Sequence, residues 1–362
     1  MQSIVKATYR VRSDAHSIEG RARAIAVEQS VEMPVEAIDD EMVRAEIVGR
    51  VLDIADRGNG IFAVQIALAA ETIGADAGQL MNMLFGNSSI HDDVILEDIQ
   101  FPSALVGTFG GPRHGPDGLR QRVGASRRPL TCSALKPQGL SPIKLADLAR
   151  RFAQGGIDYV KDDHGLADQA YSPFTARVEE IAEALRGLGG STRYMPSLSG
   201  DLDAMRAQIG AARAAGLDAV MIAPMIAGLA NAQRLIRDHP DIAFFAHPSL
   251  SGSRIAPPLL FGKIFRMLGA DAVIYPNYGG RFGYSPETCQ EIARAALEER
   301  DGLTASLPVP AGGMTVGRVR EMLDFYGPDI MLLIGGDLLA ARERLVEETK
   351  AFVGAVLEHR SE

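Results

Sequence analysis

The chain has 362 residues, is 46% hydrophobic and 23% charged, and carries a formal net charge of −9 with no tryptophan. That length exceeds a single small core and suffices for a barrel plus a smaller domain. The acidic balance and the absence of a dense Lys/Arg run exclude the electrostatic footprint of a nucleic-acid binder, and two cysteines without CxxC spacing point to a reducing cytoplasm rather than a disulfide framework.

In chain order, residues 1–110 read as a small α+β domain with ferredoxin-like βαββαβ order. The opening MQSIVKATYRVRS alternates as a strand does and lacks the apolar core of a signal peptide. ATYRV (7–11) is followed by RARAIAVEQSVEM, a helical EMVRAEIVGRVLDIADR (41–57), FAVQIALAA (62–70), a helix around AGQLMNMLFGN and DVILEDIQFP (93–102). The Gly- and Arg-rich stretch that ends near residue 128 is the natural linker, so 111–128 is expected to connect two domains, with the RRP at 127–129 a solvated loop.

From residue 129 to 362 a short apolar run, a loop and a longer amphipathic stretch recur eight times. The apolar runs are LTCSALK (130–136), IDYVKD (157–162), TRYMPSL (192–198), DAVMIAP (218–224), IAFFAH (242–247), DAVIYP (271–276), TASLPV (304–309) and DIMLLIGG (329–336). Stretches such as PIKLADLARRFAQGG place apolar residues three and four apart and run from a Ser-Pro start to a Gly stop. Eight such units with near-continuous apolar strands predict a (β/α)8 TIM barrel; a doubly wound open sheet is the competing arrangement. The longest weakly polar stretch, 217–230, contains Asp218 and Pro224 and is too short to span a bilayer.

Catalytic residues of such barrels sit at the C-terminal ends of the strands. Those positions hold Lys136, then Lys161-Asp162-Asp163-His164, then His247, Asn277 and Arg281, and finally Gly312-Gly313 and Gly335-Gly336. Strand alternation puts Lys161 and Asp163 on one face. A carboxylate, an imidazole and a lysine there suit a divalent metal acting as a Lewis acid beside a carbonyl; the plainer reading of KDDH is a solvated turn capping the next helix. The two Gly pairs follow the seventh and eighth strands, where phosphate binds in many barrels, although a Gly pair alone also makes a tight turn. Asp337 is unfavourable beside a dianion, which leaves only the backbone of that loop to meet one.

CSALKPQGLSP (132–142) and GGIDYVKDDH (155–164) resemble the two signature segments of the RuBisCO large-chain superfamily. NMLFGN (82–87) with ILEDIQFP (95–102) resembles the end of its N-terminal domain, and FAHPSLSGS, YPNYGGRFG, PAGG and LIGGD fall at its remaining active-site loops. The resemblance implies that Lys161 is the lysine that takes up CO2 as a carbamate and, with Asp163 and His164, binds Mg2+ or another divalent metal. It implies that Lys136 handles protons around an enediolate, that His247 lies near the substrate, and that Gly312, Gly313, Gly335 and Gly336 offer backbone contacts to phosphate. Asn87 matches an asparagine that reaches the partner subunit's site, implying a homodimer with a shared active site; Gln138 and Asn277 complete the substrate-binding set.

Departures from the carboxylase pattern are as informative. His164 stands where a metal-binding glutamate is usual, which weakens a hard-cation site. KPQGL is one residue short and lacks a second lysine, Gln138 being the nearest occupant. Pro248 follows His247 in place of a phosphate-binding arginine, Arg281 replaces the mobile-loop lysine, and VEQSVEMP (27–34) replaces an N-terminal segment whose acidic residue Glu28 can supply. These argue against a bisphosphate substrate and against CO2 fixation.

The expected function is therefore metal-assisted enolate chemistry on a small phosphorylated, sugar-derived carbonyl compound in the cytoplasm, with no nucleic-acid or membrane partner. The leading expectation is a carbon–carbon lyase or hydrolase acting on 3-oxo-isoapionate 4-phosphate, as a decarboxylase or transcarboxylase/hydrolase, with Arg281 meeting a substrate carboxylate. The alternative is a methylthio-sugar phosphate isomerase or enolase of methionine salvage. A non-catalytic binding or stress-response protein is the remaining class.

Overall fold

The structure, a computed structural model, describes residues 3–300 and 302–359. It divides into two units, Met1–Gly110 with Gly252–Leu260, and Gly111–Ser251 with Phe261–Glu362.

The first unit runs β1 (Ile4–Arg12), α1 (Ile18–Glu28), β2 (Arg50–Asp56), β3 (Ile61–Ala69), α2 (Ala77–Phe85) and β4 (Val94–Gln100), with sheet order β2-β3-β1-β4. All three pairings are antiparallel. Alternation along β1 buries Val5, Ala7, Tyr9 and Val11 on one face, and the Tyr9 hydroxyl donates to the Leu84 carbonyl of α2 at 2.6 Å.

The helix expected over 41–57 is corrected. A short helical turn with a π-helical stretch, Val43–Ile47, forms there, and Arg50–Asp56 is strand β2. The deciding signal is the turn after it: Gly58, Asn59 and Gly60 all adopt positive φ, which closes a hairpin onto β3 and commits the preceding residues to pairing. β2 is an edge strand and mostly exposed, so its sequence lacks the clean alternation that marks a half-buried one. Residues 252–260, expected within the barrel, also belong to this unit. Leu96 of β4 donates to the Arg254 carbonyl at 3.0 Å, and Ala256 donates back to Leu96 at 2.9 Å.

In the second unit the eight apolar runs form β5 (Leu130–Leu135), β6 (Tyr159–Asp162), β7 (Arg193–Met195), β8 (Ala219–Ile222), β9 (Ala243–Ala246), β10 (Ala272–Pro276), β11 (Leu307–Ala311) and β12 (Met331–Leu333). The order β7-β6-β5-β12-β11-β10-β9-β8 is parallel throughout. A parallel bridge between Ser197 and Met221 joins the two end strands, so the sheet curls into a barrel and the open-sheet alternative falls.

Alternation divides the apolar side chains into two cores. Leu130, Cys132, Tyr159, Met195, Met221, Phe245, Ile274, Val309 and Met331 fill the barrel interior. Val160, Tyr194, Val220, Phe244 and Leu332 face the helical layer. The helix Pro142–Gln154 shows why that layer forms: Pro142 opens it, Leu145, Ala146, Leu148, Ala149 and Phe152 make one buried stripe, and Gly155 follows its end.

Residues 111–128, expected as a linker, are part of this unit. Helix Gly115–Arg122 lies against the N-terminal strand ends, where Leu119 and Val123 join the interior core. The Leu119 carbonyl accepts from the Tyr159 hydroxyl at 2.8 Å, and Asp271 accepts from the backbone of His114 and Gly115 at 2.7 and 3.0 Å. Arg128 of the RRP stretch is no free loop cation; it grips Asp158 through two nitrogens at 2.8 and 2.7 Å. No helix among the described residues is long and apolar enough to cross a membrane.

Candidate active site

At the C-terminal end of β6 the period of the strand sorts a run of charges. Tyr159 points into the barrel and Val160 into the helical layer, so Lys161 turns inward and Asp162 outward. Asp162 then meets Arg177 of the helix Phe174–Arg186 at 3.1 Å, the Tyr194 hydroxyl at 2.7 Å and the Ser197 amide at 3.0 Å. Arg177 and Asp162 have side chains with no solvent exposure, and the three donors satisfy the carboxylate, so this pair holds the strand end rigid rather than reaching the site.

Lys161 is 4% exposed, and its Nζ donates to the Asp162 carbonyl at 2.9 Å. Burial pushes its pKa below the ordinary lysine value, although Cys132 and Asp163 oppose the shift.

Asp163 is the hub. Its Oδ1 lies 2.7 Å from the Lys136 ammonium, which arrives from the end of neighbouring β5, and 3.5 Å from Nδ1 of His164. Its Oδ2 accepts from Gln138 Nε2 at 3.2 Å and from the Gly165 amide at 3.4 Å. Burial alone favours the neutral acid here, but hydrogen bonds from His164, Lys136 and Gln138 outweigh it and hold the carboxyl well below the usual range.

The exposed ring of His164 stacks on His247, centroids 5.0 Å apart and planes 10° from parallel. His247 directly follows β9. Its Nδ1 accepts from the Ser249 amide at 3.2 Å and lies 2.9 Å from the Ser249 hydroxyl. A ring nitrogen that accepts from an amide carries no proton, so the neutral ring has its proton on Nε2. Burial first, then Lys161 and His164, holds the His247 pKa down to about 2.

Lys136, Gln138, Lys161, Asp163, His164 and His247 thus form one cluster across the ends of β5, β6 and β9. The donor chemistry does not match a magnesium site in this form. Asp163 is the one carboxylate of these six residues; its Oδ2 accepts from Gln138 and Gly165, its buried Oδ1 lies beside Lys136 without a hydrogen-bond partner, and the Lys161 amine is not an oxygen ligand. Mg2+ takes oxygen donors in near-octahedral array, and no group of three or more His, Cys, Asp or Glu among the described residues is placed to hold a metal.

Asn277 is corrected: it is 1% exposed, its amide nitrogen faces the sulfurs of Met314 and Met322 at 3.1 and 3.2 Å, and its Oδ1 accepts from the Tyr326 hydroxyl at 2.6 Å. Both ends of that amide are engaged within the packing, so Asn277 has no free group for a substrate. Arg281 is exposed and lies over the Phe282 ring, 4.9 Å from its centroid. In the first unit Asn87 donates to Glu28 at 2.8 Å and to Glu32 at 3.2 Å.

The glycine loops are built from backbone. Gly312 and Gly313 have φ of 84° and 68°, and a Cβ on Gly313 would lie 2.6 Å from the Gly280 Cα, so only glycine fits there. Gly335 and Gly336 open the short helix Gly336–Ala340. Asp337 is turned aside to accept from the Val316 amide at 3.1 Å, tying the two loops together. Sequence reasoning missed Arg177 and Arg318. The latter donates to the Gly313 carbonyl at 3.2 Å, and no local motif marks either.

Comparison with known proteins bears on the family and the fold. The family described as ribulose bisphosphate carboxylase large chain, catalytic domain, matches residues 117–275. A protein of Rhodospirillum rubrum named 5-methylthioribulose-1-phosphate isomerase is 60% identical, over 98% of this chain and 97% of its own. A 2,3-diketo-5-methylthiopentyl-1-phosphate enolase of Geobacillus kaustophilus is 31% identical over 98% and 92%. The crystal structure of a Rubisco-like protein from Rhodopseudomonas palustris has a TM-score of 0.93 at 48% identity, covering 100% of this chain and 99% of that one. These relatives overturn the 3-oxo-isoapionate 4-phosphate expectation and, with it, the decarboxylase and transcarboxylase/hydrolase reading.

Proposed function

This chain belongs to the RuBisCO large-chain family as a RuBisCO-like protein, and on that premise we propose that it isomerises a 5-methylthio sugar phosphate, with 5-methylthioribulose 1-phosphate as the substrate to test first. The observation that carries the proposal is the 60% identity over nearly the whole of both chains to a protein named for that reaction; the Geobacillus kaustophilus protein named as an enolase stands at 31%.

The chemistry asked of the site is proton movement. A proton leaves a carbon beside the ketose carbonyl, an enediolate forms, and a proton returns to a different carbon, so no atom is gained or lost. Lys136 is half-buried and held by Asp163, which suits it to exchange a proton with the substrate. His247, neutral with Nε2–H free of Ser249, offers a donor to a developing oxyanion. The Gly312-Gly313 and Gly335-Gly336 loops supply backbone amides for the phosphate. A homodimer in which Asn87 serves the partner's site, and a Lys161 carbamate, belong to the same reading as consequences of the family resemblance.

The test is 1H and 31P NMR of 5-methylthioribulose 1-phosphate with the protein in D2O. Isomeric product carrying solvent deuterium at the migrating position supports the proposal. An enol product from 2,3-diketo-5-methylthiopentyl 1-phosphate, with no isomerisation of the ketose, replaces it with the enolase reading.

A further inference from the structure

Gln138 and Gly165 lie on different loops, after β5 and β6, and meet over Asp163. A Cβ built on Gly165 would come within 1.6 Å of Gln138 Nε2 and 2.7 Å of its Cδ. That same Nε2 donates to Asp163 Oδ2 at 3.2 Å. The vacancy left by the missing side chain at 165 is therefore the slot through which the Gln138 amide reaches the carboxylate. The Gly165 amide adds a longer contact of 3.4 Å to the same oxygen. Backbone conformation does not explain the glycine, because Gly165 is absent from the positive-φ residues, so alanine is sterically allowed there by the main chain.

We propose that Gln138 and Gly165 act as one positioning device, in which the glycine admits the Gln138 amide to Oδ2 of Asp163 and so turns Oδ1 toward Lys136. The device rests on the proton-transfer role proposed above for Lys136. It assigns Gln138 to orienting Asp163 in place of the substrate contact expected from sequence, and it gives Gly165 a function. A carboxylate has two equivalent oxygens and a soft terminal torsion. A donor fixed on one oxygen defines where the other points, and charge-assisted hydrogen bonds of this kind are the strong ones.

Gly165→Ala is a clean probe, because the atom it strikes is the far end of a flexible side chain and the backbone accepts the change. The experiment compares wild type, G165A, Q138A and the double variant in isomerase kinetics. Each single variant should lose about tenfold in kcat with KM little changed, since a loss confined to the transition state leaves ground-state binding intact. The double variant should be no worse than the poorer single one, because both break the same contact. G165A with wild-type kcat, or losses that multiply in the double variant, overturns the proposal.

A second readout does not need turnover. The rate at which an amine reagent labels Lys136, followed by peptide mass spectrometry, should take one shared new value in G165A, Q138A and the double variant. Wild-type labelling in G165A alongside an altered rate in Q138A overturns the device. If the wild-type protein leaves the methylthio sugar untouched while labelling follows the shared pattern, the substrate reading fails and the device stands.

Discussion

The Lys136 ammonium rests 2.7 Å from Oδ1 of Asp163, bridging the ends of two neighbouring barrel strands. The contact follows from register: Leu135 of β5 pairs with Asp162 of β6, so the next residue on each strand emerges side by side. An amine held against a carboxylate in a partly dry site is oriented before substrate arrives, and oriented proton transfer is worth about 10²- to 10⁴-fold in rate. Lys136→Gln is accordingly expected to lower kcat for the methylthio sugar by about 10²-fold or more, and Asp163→Asn to follow in the same direction. Steady-state kinetics with circular dichroism as a folding control checks this; wild-type turnover in Lys136→Gln removes the lysine from the mechanism.

Acid should weaken the fold through the same cluster. The folded state holds His247 at about 2, whereas an unfolded chain titrates histidine near about 6.5. Below that pH the unfolded state takes up a proton that the folded state refuses, so stability falls as pH drops. Asp163 adds a second loss at lower pH: its folded value is depressed, so its contribution is whole above the ordinary carboxylate value and disappears below it. Melting temperatures measured from neutral pH to about 4 should fall less steeply in His247→Gln than in wild type. Equal slopes in the two proteins would show that His247 titrates normally.

Much of this was legible in the sequence where burial and period coincide. All eight barrel strands announce themselves because each is apolar on both faces, and the two-residue period of β6 sends Lys161 inward to the side from which Asp163 works. The same period sets Asp162 on the opposite face from Asp163, but not what it meets there: its partner Arg177 lies fifteen residues on, and only the packed helix supplies it. Asn277 sits at a strand end where barrels keep catalytic groups, but its surroundings in space are Met314, Met322 and Tyr326, none of them near it in the chain. Strand β2 was hidden because an edge strand need not alternate. Gln138 meeting Gly165 is a contact between two loops, invisible to any local pattern.

Asn277 predicts a stability effect without a binding effect. Its buried amide accepts from the part-buried Tyr326 hydroxyl at 2.6 Å, and removing that acceptor costs about 1–3 kcal/mol. Asn277→Ala should therefore lower the melting temperature by several degrees, on the scale of about 2–4 °C per kcal/mol for a domain of this size, and leave KM as it was. A raised KM with an unchanged melting temperature would return Asn277 to the substrate.

The last prediction concerns the proposed phosphate loops. Arg318 donates from Nη1 to the carbonyls of Gly313 and Tyr278 at 3.2 and 3.5 Å, and its other nitrogens grip Glu321 at 2.8 and 2.7 Å. The guanidinium also lies over the Tyr278 ring, 5.2 Å from its centroid. Since Gly313 and Gly280 touch backbone to backbone, this one side chain braces the loops after β10 and β11 against each other. The brace acts on main-chain carbonyls, and the amides on the opposite side of the same peptides, those of Gly279 and Met314, lie within the loops proposed to meet the phosphate. Loosening it should spread those amides and weaken phosphate binding while leaving the proton-transfer cluster intact. Arg318→Leu is expected to raise KM for the methylthio sugar phosphate and the inhibition constant of inorganic phosphate by the same factor, with kcat spared, because binding lost equally from ground and transition states shows only in KM. If kcat falls instead and phosphate inhibits as before, these glycine loops position the reacting carbons and the phosphate binds elsewhere.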